Sequence, residues 1–153
     1  MNNYWIEYPF LQAELESVRQ FMLDSISDAI PLVKEPLLEV IESGGKMLRP
    51  AMVILGAKLG RYNSSRVIPI AACVELLHTA TLIHDDIIDE SKLRRGIETT
   101  QSKYSKEVAV LVGDYVFAKT FDILAGGYPA EMLKNLSRSI MKICEGELSQ
   151  YAH

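Results

Sequence analysis

The residues best suited to chemistry are His84-Asp85-Asp86-Ile87-Ile88-Asp89. In a helix Asp85 and Asp89, four apart, share one face, and Asp86 lies around the corner. Three carboxylates within two turns repel one another, and at a helix C-terminus they also face the negative end of the macrodipole. The arrangement calls for a cation. Mg²⁺ answers it: a hard ion that takes one or two carboxylates, keeps waters, and completes its octahedron with phosphate oxygens of a substrate. Asp85 and Asp89 are the candidate metal ligands, and Asp86 is a third candidate catalytic residue beside them. Acidic helix ends are common on solvated surfaces, but this one follows residues 67–83, a run too apolar for a surface helix.

Two basic pairs complement the aspartates. Gly44-Gly45-Lys46-Met47-Leu48-Arg49-Pro50 sets a glycine pair ahead of Lys46 and Arg49, at the predicted start of a helix whose free N–H groups also attract anions. Lys supplies a point charge and Arg a bidentate fork, a combination suited to a diphosphate. Arg94-Arg95-Gly96 follows the aspartates, within reach of phosphates bridged by Mg²⁺. Each pair alone reads as ordinary exposed surface; the conjunction carries the argument. His78 and Thr81, seven and four residues before Asp85, lie on the same helical stripe. A lone His on an apolar helix is more often a core residue than a ligand.

Helical periodicity runs along the chain, and no segment has the sustained alternation of a half-buried strand, so the fold class is all-α. Leu11, Leu15, Val18, Met22 and Ile26 mark a first helix that follows Pro9 and stops before Pro31. A second is predicted over residues 36–42, ended by Ser43-Gly44-Gly45 in a left-handed cap. A third is predicted over 46–59, closed by Gly60, and a long central fourth from the caps at Asn63, Ser64 and Ser65 to about Asp89. Residues 90–105 read as mostly loop. Two further helices are predicted over 106–125 and 130–151, divided by Gly126-Gly127-Tyr128-Pro129.

Composition narrows the function. With 153 residues, 48% apolar and 24% charged, the chain fits one globular domain. A net charge of -4 and a pI near 5.4 argue against a nucleic-acid partner. Cys73 and Cys144 match no zinc or redox spacing and read as reduced core thiols. Residues 1–10 lack Lys and Arg, which argues against a secretory or transit signal. The apolar run 67–83 contains Glu75 and His78 and falls short of the roughly 20 residues a membrane span needs. The expected location is the cytoplasm, without a transmembrane segment.

Together these residues resemble the trans-isoprenyl (polyprenyl) diphosphate synthase family. Four segments match its pattern in order: GGKMLRP at 44–50, ELLHTATLIHDDIIDESKLRRG at 75–96, VGDYVFA at 112–118 and EGELSQ at 145–150. A DDxxD alone also fits a class I terpene cyclase; GGKxxRP and LRRG do not. The resemblance implies a partial isoprenoid-synthase helical bundle of about six helices. It implies a Mg²⁺-dependent condensation of isopentenyl diphosphate with an allylic diphosphate, in which the allylic C–O bond breaks to a carbocation. On it, Asp85 and Asp89 bind Mg²⁺ on the allylic diphosphate with Asp86 in support, Arg94 contacts that diphosphate, and Lys46, Arg49, His78 and Arg95 form the isopentenyl diphosphate pocket. Met47 stands where many members have a basic residue. Ala80 and Thr81, about one turn below Asp85, are implied to floor the product tunnel; neither is bulky, which points to products longer than farnesyl diphosphate.

The same resemblance makes residues 1–153 the amino-terminal half of a polyprenyl synthase domain, without the second aspartate-rich motif and incompetent alone. A truncated gene product, one component of a split synthase, and a non-catalytic or regulatory partner of another synthase are the three readings. The resemblance also implies a homodimer packed through residues 106–125 and 130–151, or a partner chain supplying the carboxy-terminal half.

Overall fold

Prolines and polar caps set where the helices begin. The structure, a computed structural model, describes residues 3–151; Met1, Asn2, Ala152 and His153, the ends of the predicted 1–153 domain, lie outside the described residues. After a 3-10 turn at Asn3–Trp5 come α1 (Pro9–Ser25), α2 (Pro31–Glu42), α3 (Leu48–Ala57) and α4 (Ser64–Ile88). A hairpin of β1 (Leu93–Arg94) and β2 (Ile97–Glu98) leads to α5 (Thr100–Lys103), α6 (Lys106–Ala125) and α7 (Ala130–Tyr151). The fold is all-α, as expected. Its contacts divide the chain at Thr120, with residues 121–153 a separate unit.

The first helix is the one the apolar spacing describes. Pro9 sits at its start, where a missing N–H goes unnoticed, and Leu11, Leu15, Val18, Met22 and Ile26 are all buried. The second helix is longer than predicted. It begins at Pro31, whose fixed φ suits the first turn, behind an extended Ile30, and Pro36 lies buried inside it. Either proline could open a helix, and only packing decides that the earlier one does. Its end is as read: Ser43 Oγ donates to the Val40 carbonyl at 2.7 Å, and Gly44 takes φ +72°.

The third helix starts two residues later than predicted, because Met47 adopts a left-handed conformation, φ 53° and ψ 35°, as its N-cap. Lys46 therefore precedes the helix while Arg49 sits in its first turn. One face of α3 packs on α1 and α4 through Ala51 and Ile54. The opposite stripe, Leu48, Met52, Leu55 and Leu59, is 46%, 73%, 51% and 92% exposed, an unbroken apolar row at helical spacing.

The fourth helix is the core. Asn63 Oδ1 accepts from the Ser65 N–H at 3.1 Å to cap it, and no residue from 67 to 87 is exposed. At 25 residues it is long and apolar enough to cross a membrane, so the length argument from the sequence does not hold. What distinguishes it is burial: 56% of its apolar window is buried in this fold, against α1 and α3. Cys73 is buried as expected, whereas Cys144 is exposed, contrary to its reading as a core thiol.

The segment read as mostly loop is more ordered. Leu93 pairs with Glu98 and Arg94 with Ile97, around an Arg95-Gly96 turn with both φ positive, at 54° and 81°. Two positive φ values are what a tight two-residue hairpin requires, and Arg at the first of them hid it from sequence. In the unit 121–153, the Gly126 and Tyr128 N–H groups close the end of α6 on the carbonyls of Asp122 and Leu124. There α7 carries exposed Met141, Ile143 and Leu148.

Candidate functional site: a basic cavity and an acidic helix end

One stripe of α4 carries both halves of the site. Glu75, His78, Leu82, Asp85 and Asp89 follow one another at steps of three and four, so their side chains leave the same face. At 1.5 Å rise per residue, His78 and Asp85 are about 10 Å apart along the axis.

The lower half is a cavity of about 420 Å³ lined by Gly44, Gly45, Lys46, Arg49, Glu75, His78 and Arg95 among others. The four predicted pocket residues are thus brought together from the glycine loop, α3, α4 and the hairpin. The two glycines have separate reasons. Gly44 supplies the positive φ that ends α2, and Gly45 leaves room for the Arg95 head, since a Cβ there would lie 3.1 Å from Nη1. Arg95 Nη1 donates to the Gly44 carbonyl. Lys46 Nζ stands 5.2 Å from the Tyr4 ring centroid, and the Lys46 carbonyl accepts from Trp5 Nε1 at 2.6 Å. Burial, then Arg49, Arg95 and Arg94, hold the His78 imidazolium off and drop its pKa from 6.5 to about 4, so the ring is neutral at pH 7.

The upper half is the acidic end. Asp86 is 5% exposed and its carboxylate takes a bidentate grip from Arg94, whose Nε donates to Oδ1 and Oδ2 at 3.0 and 3.1 Å and whose Nη2 donates to Oδ1 at 2.8 Å. Asp89, the C-cap, is exposed, and Asp85 is half-buried. Three carboxylates close in sequence thus have different surroundings. Asp85 and Asp89 lie on the stripe shared with His78, and Asp86 is turned into a salt bridge with Arg94. Two carboxylates on one stripe is the number Mg²⁺ takes when a substrate supplies the remaining oxygens. Among the described residues no cluster of three or more His, Cys, Asp or Glu forms a ready-made metal cage.

Other residues hold this end in place. Gln101 Nε2 donates to the carbonyls of Asp86 and Ser91 at 3.2 and 2.7 Å, and Thr99 Oγ1 donates to Ser91 O at 2.7 Å, so the segment after the hairpin ties one carbonyl in the last turn of α4 to the turn that follows it. On another face of α4, Cys73 Sγ approaches the Thr120 carbonyl at 3.9 Å and His84 Nε2 meets the Val110 carbonyl at 3.1 Å. Ala80, fully buried, lies between them on that α6-facing stripe, while Thr81 is half-buried and donates to the His78 carbonyl at 2.8 Å.

Sequence reasoning left out Glu75 and Gln101. Glu75 could have been found, three residues before His78 on the same stripe. Gln101 acts through contacts made across the fold, which no spacing in the sequence encodes.

The chain matches the polyprenyl synthetase family over residues 30–153. It is 41% identical over 138 residues to the all-trans-nonaprenyl-diphosphate synthase (geranyl-diphosphate specific) of Rhodobacter capsulatus, covering 90% of this chain and 42% of that protein. It is 34% identical over 143 residues to heptaprenyl diphosphate synthase component 2 of Geobacillus stearothermophilus, covering 94% and 45%. The polyprenyl synthase of Caulobacter crescentus CB15, solved complexed with calcium and isoprenyl diphosphate, superposes with a TM-score of 0.84 at 34% identity, over 90% of this chain and 42% of that one. The chain therefore spans under half the length of these three relatives, and the bundle is a partial one. With a family match over most of its length, and with that family's fold in the part it spans, the chain belongs to the polyprenyl synthetase family.

Proposed function

We propose that this chain forms one wall of a trans-prenyl diphosphate synthase site that condenses isopentenyl diphosphate with an allylic diphosphate. The observation that carries the reading is the convergence of Lys46, Arg49, His78 and Arg95 on one cavity, two turns along α4 from Asp85 and Asp89. The cavity's three cations hold the diphosphate of isopentenyl diphosphate, and neutral His78 lends a ring nitrogen without adding charge. Asp85 and Asp89 hold Mg²⁺ against the allylic diphosphate, and Arg94, kept in place by Asp86, faces the same group. The ion supplies Lewis-acid stabilisation of the charge that develops on the leaving diphosphate. The residues of the chain bind and orient two anionic ends so that their carbon tails meet.

Among the described residues the carboxylates assigned to the metal all stand on one wall, and turnover needs the opposite wall, carried by a carboxy-terminal half in the same polypeptide or in a partner chain; a homodimer and a cytoplasmic location are the expected setting. The likeness to a heptaprenyl diphosphate synthase component 2 supports work beside a partner polypeptide; the second reading is a partner subunit that acts without its own catalysis. Mixing the chain with a carboxy-terminal half of a relative and following incorporation of labelled isopentenyl diphosphate tests both. Activity lost in Asp85→Ala supports the synthase wall; activity indifferent to that change supports the non-catalytic subunit.

The tunnel reading goes with this function. Ala80 and Thr81 put no bulk one turn below Asp85, and the relatives include nonaprenyl and heptaprenyl synthases. The reconstituted enzyme is expected to make products longer than farnesyl diphosphate. Ala80→Phe should shorten them, because the close-packed walls around this fully buried position cannot yield to a ring. An unchanged product distribution on thin-layer analysis of the dephosphorylated lipids would refute the tunnel-floor role.

A further inference from the structure

The basic cavity contains an acid that its proposed anion does not need. Glu75 projects from α4 one turn before His78 and lines the cavity beside Arg49, Arg95 and the two glycines. Its Oε2 is buried and has no hydrogen-bond partner. A buried acceptor without a donor is retained against a stability cost, so it marks a residue with a task in a state other than the empty one.

We infer that Glu75 is a positioning residue for this cavity: its carboxylate aims the guanidinium of Arg49, and with it that of Arg95, so that the cavity holds a diphosphate more tightly with the acid in its wall than without it. The inference rests on the reading of the cavity as a diphosphate site.

Two effects of opposite sign compete. A carboxylate near a diphosphate repels it, but that repulsion acts across an open cavity and is screened by water and salt. Orientation of a guanidinium is a short-range matter: a bidentate fork that swings out of plane loses one of its two contacts outright. Arg49 is an exposed side chain with many rotamers, Arg95 is exposed but held at its head by the Gly44 carbonyl, and Glu75 lines the cavity wall with both. The surrounding charges agree. Lys46 and Arg49 face Glu75 from the glycine loop and α3, Arg95 from the hairpin and Arg19 from α1, with His78 on its own helix and Glu42 from α2. Burial raises the Glu75 pKa while Arg49 first and Arg95 second lower it. Orientation is the stronger effect because the repulsion is screened across the open cavity, whereas a misdirected fork loses a whole contact.

The experiment is titration of the full chain with sodium diphosphate in EDTA, followed by ³¹P NMR, so that the aspartate end contributes no metal-dependent binding. The proposal expects Glu75→Gln to bind diphosphate about tenfold more weakly, the loss of roughly one charge-assisted contact. Glu75→Asp, which keeps the charge but shortens the arm, should also be weakened. In an Arg49→Lys background, which has no fork to aim, Glu75→Gln should cost little more. Far-UV circular dichroism and melting establish that each variant is folded, and the two Glu75 variants guard against loss of either one. Unchanged or tighter binding by Glu75→Gln, or additive losses in the double variant, would overturn the positioning role. If instead the wild-type chain binds no diphosphate, or Arg49→Ala binds as well as wild type, the reading of the cavity itself falls.

Discussion

The imidazole of His84 fills the space that a side chain at Gly113 would occupy: a Cβ placed there falls 2.1 Å from Nε2. The residue immediately before the aspartates thus lies directly on the backbone of α6. There Nε2 meets the Val110 carbonyl at 3.1 Å and approaches Asp114 Oδ1 at 3.6 Å, and the ring stands 5.8 Å from that of Phe117. The notch fixes the end of α4, and with it the direction in which Asp85 leaves the helix.

Gly113→Ala should therefore cost about 2 kcal/mol in chemical denaturation, because the nearest obstacle is a ring held by a hydrogen bond. His84→Ala should cost less. In the double variant the methyl group enters the space the ring has left, and the losses should be clearly less than additive. Additive losses would mean that the ring and the glycine are not in contact.

The three aspartates should separate in their effects. Asp86→Asn breaks a buried bidentate pair and should destabilise the chain by about 2 to 3 kcal/mol, reduced from the fully buried case because Arg94 is 36% exposed. Asp89→Asn, at an exposed C-cap, should change stability by no more than about 0.5 kcal/mol. Asp85→Ala and Asp89→Ala should instead abolish calorimetric binding of Mg²⁺ with diphosphate. Equal binding by wild type and the Asp85/Asp89 double variant would remove these residues from the metal site.

His78 predicts a pH dependence with a definite sign. Its native pKa, about 4, lies below the ordinary 6.5, so between these values the unfolded chain takes a proton that the folded chain refuses. The stability of wild type relative to His78→Gln should be flat above pH 7, fall below pH 6.5, and reach its full deficit near pH 4. Glu75, whose pKa is raised, acts with the opposite sign, so the difference between the two proteins is the quantity to measure, by denaturant titration at a series of pH values. A difference that stays constant with pH would show that His78 titrates normally.

Exposed apolar surface should drive association, and beside the segments 106–125 and 130–151 that the resemblance implies, α3 offers a second face in Leu48, Met52, Leu55 and Leu59. Light scattering at micromolar concentration should show self-association that Met52→Glu with Leu59→Glu reduces. If Ile143→Glu with Leu148→Glu has the larger effect, the pairing runs through α7.

The parts of this molecule legible in its sequence are those governed by local rules. The stripe Leu11 to Ile26, the cap at Asn63 and the span of α4 follow from periodicity and side-chain chemistry acting within a few residues. The boundaries that moved, at Pro31 and Met47, were those where two local solutions were both acceptable and packing chose. The site divides the same way. The membership of the basic cavity could be listed because the resemblance carried by GGKMLRP and the segment 75–96 implies it. The bidentate grip on Asp86 could not, since which of two adjacent carboxylates receives it depends on where the hairpin places Arg94.

That hairpin has its own consequence. Arg94 grips Asp86 at the acidic end, and the next residue, Arg95, grips the Gly44 carbonyl at the mouth of the basic cavity, across a turn of only Arg95 and Gly96. The two anion sites are thus joined by a crossbar one peptide long. A ligand that draws Arg94 off its aspartate tilts the turn and shifts Arg95 with it. Occupancy of either site should then change affinity at the other, and thermodynamics requires the factor to be the same in both directions. Two consecutive arginines would then let one proposed anion site register the occupancy of the other.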